Sequence, residues 1–444
     1  MHHFGTDGIR GHAGVFPINE EGAWRLGLAT ALVMGRGGSV VVGRDTRPSG
    51  PALAEAVLDG LAAGGCAAVD LGVLPTPAVS YHVQRRGAAA GVVISASHNA
   101  APENGFKLFG PGGAKVSESV EEQVERVFIH GGPPARGGRR TSVPTATEEY
   151  LDFVLGTVPP GLRLDGLKLA VDCGCGATCE TTPEALRRLG AHVTTIHDTA
   201  DGARINDQCG SQHPQAVRAT ADACGASVGL AHDGDGDRVT FVDEARQTVN
   251  GDRIIGLCAR AAAARGELAS AHVVGTVLTN IGLEWWLREQ GLTLHRAPVG
   301  DRNVWERMIE LGADIGGEPS GHLIFRRLLP TDDALLTALQ LLAVVAQSSR
   351  PMSELAAEIP MMPQAVRNLK VTAKPAIESV PTLHGAVDAA RELLNGSGRL
   401  IVRYSGTEAL ARIMAEGPDV PLLDQAVAVV ESAFDEVGLV VGGH

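Results

Sequence analysis

The sequence predicts an α/β protein of several domains, built from layered parallel sheets and ending in a smaller α+β domain. Three observations predict it. Apolar, β-rich runs recur along the chain, and each is followed by a polar Gly/Asp/Ser loop. Helical stretches alternate with these runs, the pattern of parallel strands joined by crossover helices. The 444 residues suffice for two to four domains at roughly 100–200 residues each.

The elements follow in order. Residues 39–42 read as a strand leading into a Gly-Arg-Asp-Thr-Arg-Pro-Ser-Gly loop, with a helix starting near Pro51, a residue suited to the first helical turn. A second strand, 91–94, runs into Ser95, Ser97, His98 and Asn99. Residues 131–144, rich in Gly, Pro and Arg, read as a weakly structured linker. A third strand, 167–171, precedes a Gly/Cys loop and a helix opened at Thr182 and closed by Gly190. A fourth, 227–231, runs into Asp233, and the pattern changes again near 359–363. Beyond it, strands at 369–372 and 400–403 and a helix over 424–438 form the small α+β domain. The expected domains are 1–140, 141–243, 244–359 and 360–444. In parallel sheets ligands collect at the carboxyl ends of strands, where these polar loops lie.

Composition narrows the function. The net charge is −13 and the pI near 5.6, with no Lys/Arg-rich block, which argues against nucleic-acid binding. An anionic small substrate remains compatible, because Arg10, Arg44, Arg47, Arg238 and Arg403 all lie in Gly- or Ser-containing loops and set a local field. Glycine, at 56 residues, is nearly twice the usual share of about 7%, which fits loops that approach a ligand closely. Seven cysteines in a large chain suggest a reduced, cytoplasmic setting. Cys173, Cys175 and Cys179 lack a second Cys or His pair at zinc-finger spacing and read as small packing residues. No signal-peptide pattern is seen, and the most apolar helix candidate, 335–345, is too short to cross a membrane.

Four loops carry chemistry. Ser97, in a tight polar turn after an apolar strand, is placed as a nucleophile, with His98 and Lys107 near enough in sequence to position or deprotonate it. Alone, an isolated Ser-His-Asn fits a helix-capping serine better. Asp233, Asp235 and Asp237 alternate with glycines and can converge on a hard cation such as Mg2+. An EF-hand loop is excluded: its sixth position would be Arg238 instead of Gly, and the flanks read as strands. Glu318, Ser320 and His322 share a loop suited to hydrogen bonding sugar hydroxyls, with His322 also able to move a proton. Arg403, Ser405, Gly406 and Thr407, with Arg412 beyond, make an anion cradle unlike a P-loop. A nucleophile, a metal triad, a hydroxyl-binding loop and an anion cradle together describe phosphoryl transfer on a phosphosugar.

On these motifs the sequence resembles the α-D-phosphohexomutases over essentially its whole length. The carriers are residues 4–11 (Phe-Gly-Thr-Asp-Gly-Ile-Arg-Gly), 43–47, 75–78, 95–99, 171–173, 233–238 and 405–408. The first of these, with Ile205, Asn206 and 209–211 (Cys-Gly-Ser), is similar to the branch acting on glucosamine phosphates. The resemblance implies a heart-shaped arrangement of four domains, three related α/β units and a smaller fourth. It implies that Ser97 carries a phosphoryl group and, with Asp233, Asp235 and Asp237, ligates Mg2+. Arg238, His98, Lys107 and His322 become candidates for charge stabilisation and proton transfer. Glu318 and Ser320 would bind the sugar; Arg10, Arg403, Ser405, Gly406, Thr407 and Arg412 would bind phosphate. A hexose 1,6-bisphosphate would be intermediate and activator, and the protein a cytoplasmic monomer or homodimer with no nucleic-acid or membrane partner. The alternative within the family is a glucose or mannose phosphomutase, or a mutase for another hexose phosphate. The chain departs from the family pattern at Ala100, Pro319, Ala334 and Ala409.

Overall fold

The structure, a computed structural model, describes residues 3–5, 7–135, 137–405 and 409–441. They form two compact units. One comprises the described residues up to Leu278 together with Leu292–Glu358. The other comprises Thr279–Gly291 and the described residues from Ile359 onward.

The first unit holds three mixed sheets. Strands β1 (Ile9–His12), β2 (Ser39–Arg44), β3 (Ala67–Val73), β4 (Ala90–Ile94), β5 (Glu103–Phe109) and β6 (Arg139–Ser142) assemble in the order β1-β5-β4-β2-β3-β6. The second sheet contains β7 (Lys168–Asp172), β8 (His192–Ile196), β9 (Val228–His232), β10 (Val239–Val242) and β11 (Thr248–Val249), ordered β11-β10-β9-β7-β8. The third contains β12 (His272–Thr276), β13 (Thr293–Ala297), β14 (Ile315–Gly317) and β15 (Leu323–Phe325), ordered β13-β12-β14-β15. Each sheet has a parallel centre bordered by an antiparallel hairpin, β4/β5, β9/β10 or β14/β15, with β1 and β11 adding further antiparallel edges to the first two.

That common feature positions the chemistry. Ser97 lies in the β4–β5 connection, the aspartates in the β9–β10 connection and Glu318–His322 in the β14–β15 connection. The Ser97 loop therefore leads into an antiparallel strand, not into the helix that the strand–loop–helix plan predicted, whereas the aspartate loop is flanked by strands on both sides, as its sequence reads. Strands β4 and β9 are buried at every residue, as expected for sheet centres covered on both faces. The first core is built from Leu26, Val57, Leu58 and Leu61 on two helices over Val40, Val42, Val92 and Ile94 on the sheet.

The stretch expected to be a weakly structured linker is partly a strand. β6 pairs in parallel with β3, Ala67 opposite Arg139, so the first sheet runs to Ser142, two residues past the expected boundary at 140. All four β6 side chains are exposed, which hid a strand held by its backbone pairing and by Arg140, which pairs with Glu55 and Asp59.

In the second unit, β16 (Gln364–Lys370), β17 (Arg399–Tyr404) and β18 (Leu410–Glu416) form an antiparallel sheet ordered β16-β18-β17. Two helices, Pro381–Leu394 and Val420–Glu436, cover it through Leu383, Val387, Leu423, Val427 and Phe434. The last helix starts four residues before the expected 424, because the Asp419 side chain caps Leu422 N and Pro421 occupies the first turn. The first strand ends two residues earlier than the expected 372, its pairing with β18 stopping at Lys370.

Candidate active site

Ser97 follows β4 in a left-handed backbone conformation, φ +51°, which for a non-glycine residue must be held by its surroundings. Arg47 provides much of that hold. Its guanidinium is fully buried, pairs with Asp45 at 2.9 Å and donates to the carbonyls of Ser97, Asn99, Ala100 and Glu103. The Asn206 amide adds bonds to the carbonyls of Ser97 (2.9 Å) and Asn99 (3.1 Å). Arg47 is therefore not one of the arginines facing an anionic substrate, as its loop position had suggested. All its donors are committed to shaping the serine loop.

The Ser97 hydroxyl donates to Asp233 Oδ2 at 2.8 Å and lies 3.2 Å from His98 Nδ1. Burial and the nearby Arg238 and Arg10 push the His98 imidazole down to about 4, so it is neutral near pH 7.

The Asp233–Arg238 loop is stapled from three sides by its backbone. Thr76 N donates to Asp235 O, Ala177 N to Gly234 O and Ala334 N to Gly236 O. A Cβ at Gly234 would meet Ser97 O at 2.7 Å, so only glycine lets the two loops approach this closely. One oxygen from each of Asp233, Asp235 and Asp237 falls within 4.8 Å of the others, and all three residues are buried. Burial and the neighbouring Asp237 and Asp235 raise Asp233 well above the usual carboxylate range. Asp237 shares that burial, which opposes ionisation, yet Lys107, His322 and Arg238 hold it below its ordinary value.

Lys107 on β5 is buried against this triad, its ammonium 2.9 Å from both Asp235 Oδ2 and Asp237 Oδ2. Burial disfavours its charge, but the carboxylates of Asp235, Asp237 and Asp7 win and hold it well above the usual lysine range. Asp235 Oδ1 and Asp237 Oδ1 are buried and accept no hydrogen bond. Three buried carboxylates with two unused oxygens fit a hard divalent cation, and none of the donors is a soft ligand.

Arg238 Nε donates to His322 Nε2 at 2.6 Å, and His322 Nδ1 contacts Asp332. Burial would lower the proton affinity of His322, but Asp332 overrides it and brings the imidazole to about 9. An imidazolium has donors on both nitrogens and could not accept from Arg238. The Arg238 contact therefore requires the neutral tautomer, with Nδ1–H on Asp332, against the pull of that carboxylate towards the charged ring; the hydrogen-bond geometry decides for the neutral form. In this arrangement Asp332 fixes the ring through Nδ1, and His322 Nε2 orients Arg238.

Glu318 accepts from Gly300 N at 2.9 Å, while Ser320 is exposed at the tip of the same turn. A cleft of about 590 Å³ is bordered by Asp7, Arg10, His98, Lys115, Arg238, Glu318 and His322. Arg10 bonds Asn99 Oδ1 (3.3 Å) and pairs with Asp7.

The first unit thus brings together Ser97, His98, Lys107, Arg10, the three aspartates, Arg238, Glu318 and His322. Arg403 and Arg412 belong to the second unit, opposite each other on β17 and β18. Ser405 lies there too, its carbonyl accepting from Lys374 Nζ at 2.6 Å. Gly406 and Thr407 lie outside the described residues. Sequence reasoning missed Lys115, whose ammonium pairs with Asp7 and Asp301. Nothing in its local sequence signalled that role. It also gave no role to Asp7, although Asp7 stands inside a quoted motif.

Comparison with known proteins agrees with this geometry. The chain matches models of the phosphoglucomutase/phosphomannomutase family in all four parts: alpha/beta/alpha domain I over 1–132, domain II over 148–247, domain III over 250–362 and the C-terminal domain over 367–432. The chain belongs to this family. Among its relatives, a phosphoglucosamine mutase of Moorella thermoacetica is 45% identical over 434 residues, covering 96% of this chain and 97% of that protein. One from Symbiobacterium thermophilum is 43% identical over 438 residues, covering 96% and 97%. A family member from Burkholderia thailandensis superposes with a TM-score of 0.84 at 25% identity, covering 100% of this chain and 98% of that one. No helix among the described residues is long and apolar enough to cross a membrane.

Proposed function

We propose that the protein interconverts glucosamine 6-phosphate and glucosamine 1-phosphate, through phosphorylated Ser97 and a 1,6-bisphosphate intermediate. The observation that carries this is the Ser97 hydroxyl 2.8 Å from Asp233, at the edge of a buried carboxylate triad with unused oxygens. Near-full-length relatives named phosphoglucosamine mutase support the choice of sugar.

Asp233, Asp235, Asp237 and phosphorylated Ser97 would hold Mg2+. Bound there, the ion supplies charge neutralisation for a transferring phosphoryl group. The chain's own residues do the rest. The P–O bond to Ser97 breaks as one to the sugar hydroxyl forms, and the hydroxyl proton passes to a basic group, for which neutral His98 is the candidate. Lys107 and Arg238 stabilise negative charge, positioning and electrostatics being most of phosphoryl-transfer catalysis. Glu318 and Ser320 are assigned to sugar hydroxyls, and His322 to orienting Arg238. Arg10, Arg403, Ser405, Gly406, Thr407 and Arg412 are assigned to the substrate's phosphates. The bisphosphate then returns its other phosphoryl group to Ser97. The reading includes work in the cytoplasm as a monomer or homodimer, a division of the four loops among domains 1–140, 141–243, 244–359 and 360–444, and no nucleic-acid partner.

The test is a coupled assay with Mg2+ and a trace of bisphosphate, comparing glucosamine 6-phosphate with glucose 1-phosphate and mannose 1-phosphate. Preference for the glucosamine substrate, lost in Ser97→Ala and on chelation by EDTA, is expected. Preference for glucose or mannose phosphate would overturn the sugar, and full activity of Ser97→Ala would overturn the mechanism.

A further inference from the structure

We propose that Asp172, His197 and Cys209 form a second cation site, separate from the aspartate triad, which takes a thiophilic divalent ion of the Zn2+ class. A carboxylate oxygen, a ring nitrogen and the thiol sulfur from these residues all lie within 4.8 Å of one another. His197 Nδ1 is 3.0 Å from Asp172 Oδ1. Asp172 and Cys209 are buried, and His197 is half-buried, which leaves an approach from solvent.

The donors are held from outside. Asp172 Oδ1 accepts from Gly174 N and Oδ2 from Gly210 N, at 2.9 and 3.0 Å, which fixes the carboxylate as outer hydrogen bonds fix metal ligands. Cys175 N donates to the His197 carbonyl at 2.9 Å. Cys175, His197, Asn206 and Gln208 all have φ near +50 to +60°. Four non-glycine residues in that conformation, around one cluster, mark loops folded for the positions of their side chains.

Donor chemistry separates the two sites. The triad of Asp233, Asp235 and Asp237 offers only oxygen, the preference of Mg2+. Asp172, His197 and Cys209 offer oxygen, nitrogen and sulfur, a set that favours Zn2+ and other borderline ions. Three protein ligands leave the fourth tetrahedral position to water. On binding, the Cys209 thiol proton is released to solvent as the thiolate joins the metal.

The site has a structural consequence. Asn206 N donates to the Gly174 carbonyl at 3.1 Å, and the Asn206 side chain supports the Ser97 carbonyl. A Cβ at Gly210 would meet the carbonyl of His232, the residue before Asp233, at 2.5 Å. A cation tying Asp172, His197 and Cys209 therefore braces the shelf under both the nucleophile and the Mg2+ loop.

The test uses the full chain, purified without chelator, kept reduced with a phosphine, stripped and titrated with Co2+. We expect one equivalent to produce a near-ultraviolet thiolate-to-cobalt charge-transfer band, which an all-oxygen site cannot give. Zn2+ should bleach it. The band should persist in Asp235→Asn and Cys224→Ser, and affinity should fall at least tenfold in Cys209→Ser and His197→Gln. Circular dichroism identifies which of those two remains folded and decisive. No band in the reduced wild type, or a band unchanged in a folded Cys209→Ser or His197→Gln protein, would overturn the proposal.

Discussion

Replacing Arg47 tests the idea that the serine loop is shaped by a buried cation rather than by the residues of the cleft. An arginine side chain has five N–H donors. Here Nε serves Asp45, Nη1 serves Ala100 O and Glu103 O, and Nη2 serves Ser97 O and Asn99 O. All four carbonyls belong to the segment that carries Ser97, the proposed nucleophile. Arg47→Met removes these bonds and leaves Asp45 buried without its cation. Removing one partner of a buried pair costs about 3–5 kcal/mol, against a typical domain stability of about 5–15 kcal/mol. Urea unfolding should register that loss, and hydrogen exchange should show segment 95–104 opening. Release of the loop misplaces Ser97, so kcat/KM should fall by about 100-fold or more. Arg47→Lys keeps the charge but has three donors for five acceptors, so stability should recover more than activity does. In Asp45→Asn/Arg47→Met the buried anion is gone, and stability should partly return without activity. A wild-type urea midpoint and activity within threefold in Arg47→Met would refute the reasoning.

Asp333 caps the helix Ala334–Ser348 through Leu336 N, and accepts from Tyr150 Oη at 2.8 Å. Burial pushes its carboxyl up to about 7, whereas the unfolded value is about 3.9. Between those pH values the folded state binds more protons, so stability declines as pH rises from about 4 through 7, by on the order of 4 kcal/mol. Asp333→Asn keeps the cap and removes this component; its urea midpoint relative to wild type should be higher at pH 8 than at pH 5, and a pH-independent difference would count against it. Gly176→Ala should weaken Mg2+ activation about tenfold or more, because the new Cβ would meet Gly234 O at 2.4 Å in the cation loop; an unchanged Mg2+ titration would contradict this. Gly385→Ala, in an exposed helical position with nothing within 4 Å, should instead stabilise by about 0.5–1 kcal/mol, read as a raised melting temperature. Glu416 is buried in the second unit, where it accepts from Arg399, Gln364 and Ile281 N; Glu416→Ala should cost about 1–3 kcal/mol and deprotect β17 and β18 in hydrogen exchange.

The elements legible in the sequence were those whose burial left a mark on composition. β4 and β9 are buried throughout, and their apolar runs located them within a residue or so. β6 left no such mark, because it buries no side chain and is held by backbone pairing with β3 and by exposed Arg140 ion pairs. β5 was hidden differently: it buries Asn104 and carries Lys107 to the aspartates, so its pattern mixes apolar residues with buried polar ones. The alternation of strand and helix that revealed the parallel sheets also misled at their edges. A strand after the Ser97 loop needs only a hairpin connection, whereas a helix would carry the chain away from the loop that Lys107 must reach.

The site itself divides along the range of its interactions. Ser97, the alternating aspartates and the Glu318–His322 turn were visible because each packs its chemistry into a few consecutive residues. Roles that depend on partners far along the chain were not. Lys107 meets Asp235 and Asp237 across about 130 positions, and Arg47 turns from substrate-facing to structural only when the carbonyls of 97–103 close around it. The same holds for Cys209. By spacing, the cysteines lack a partner pair; in the fold, β7 and β8 run in parallel with Asp172 opposite Ile196, so His197 falls beside that carboxylate and the turn after Asn206 delivers the thiol. Local spacing thus reads ligands supplied by one loop, and is blind to ligands that a sheet register assembles from three.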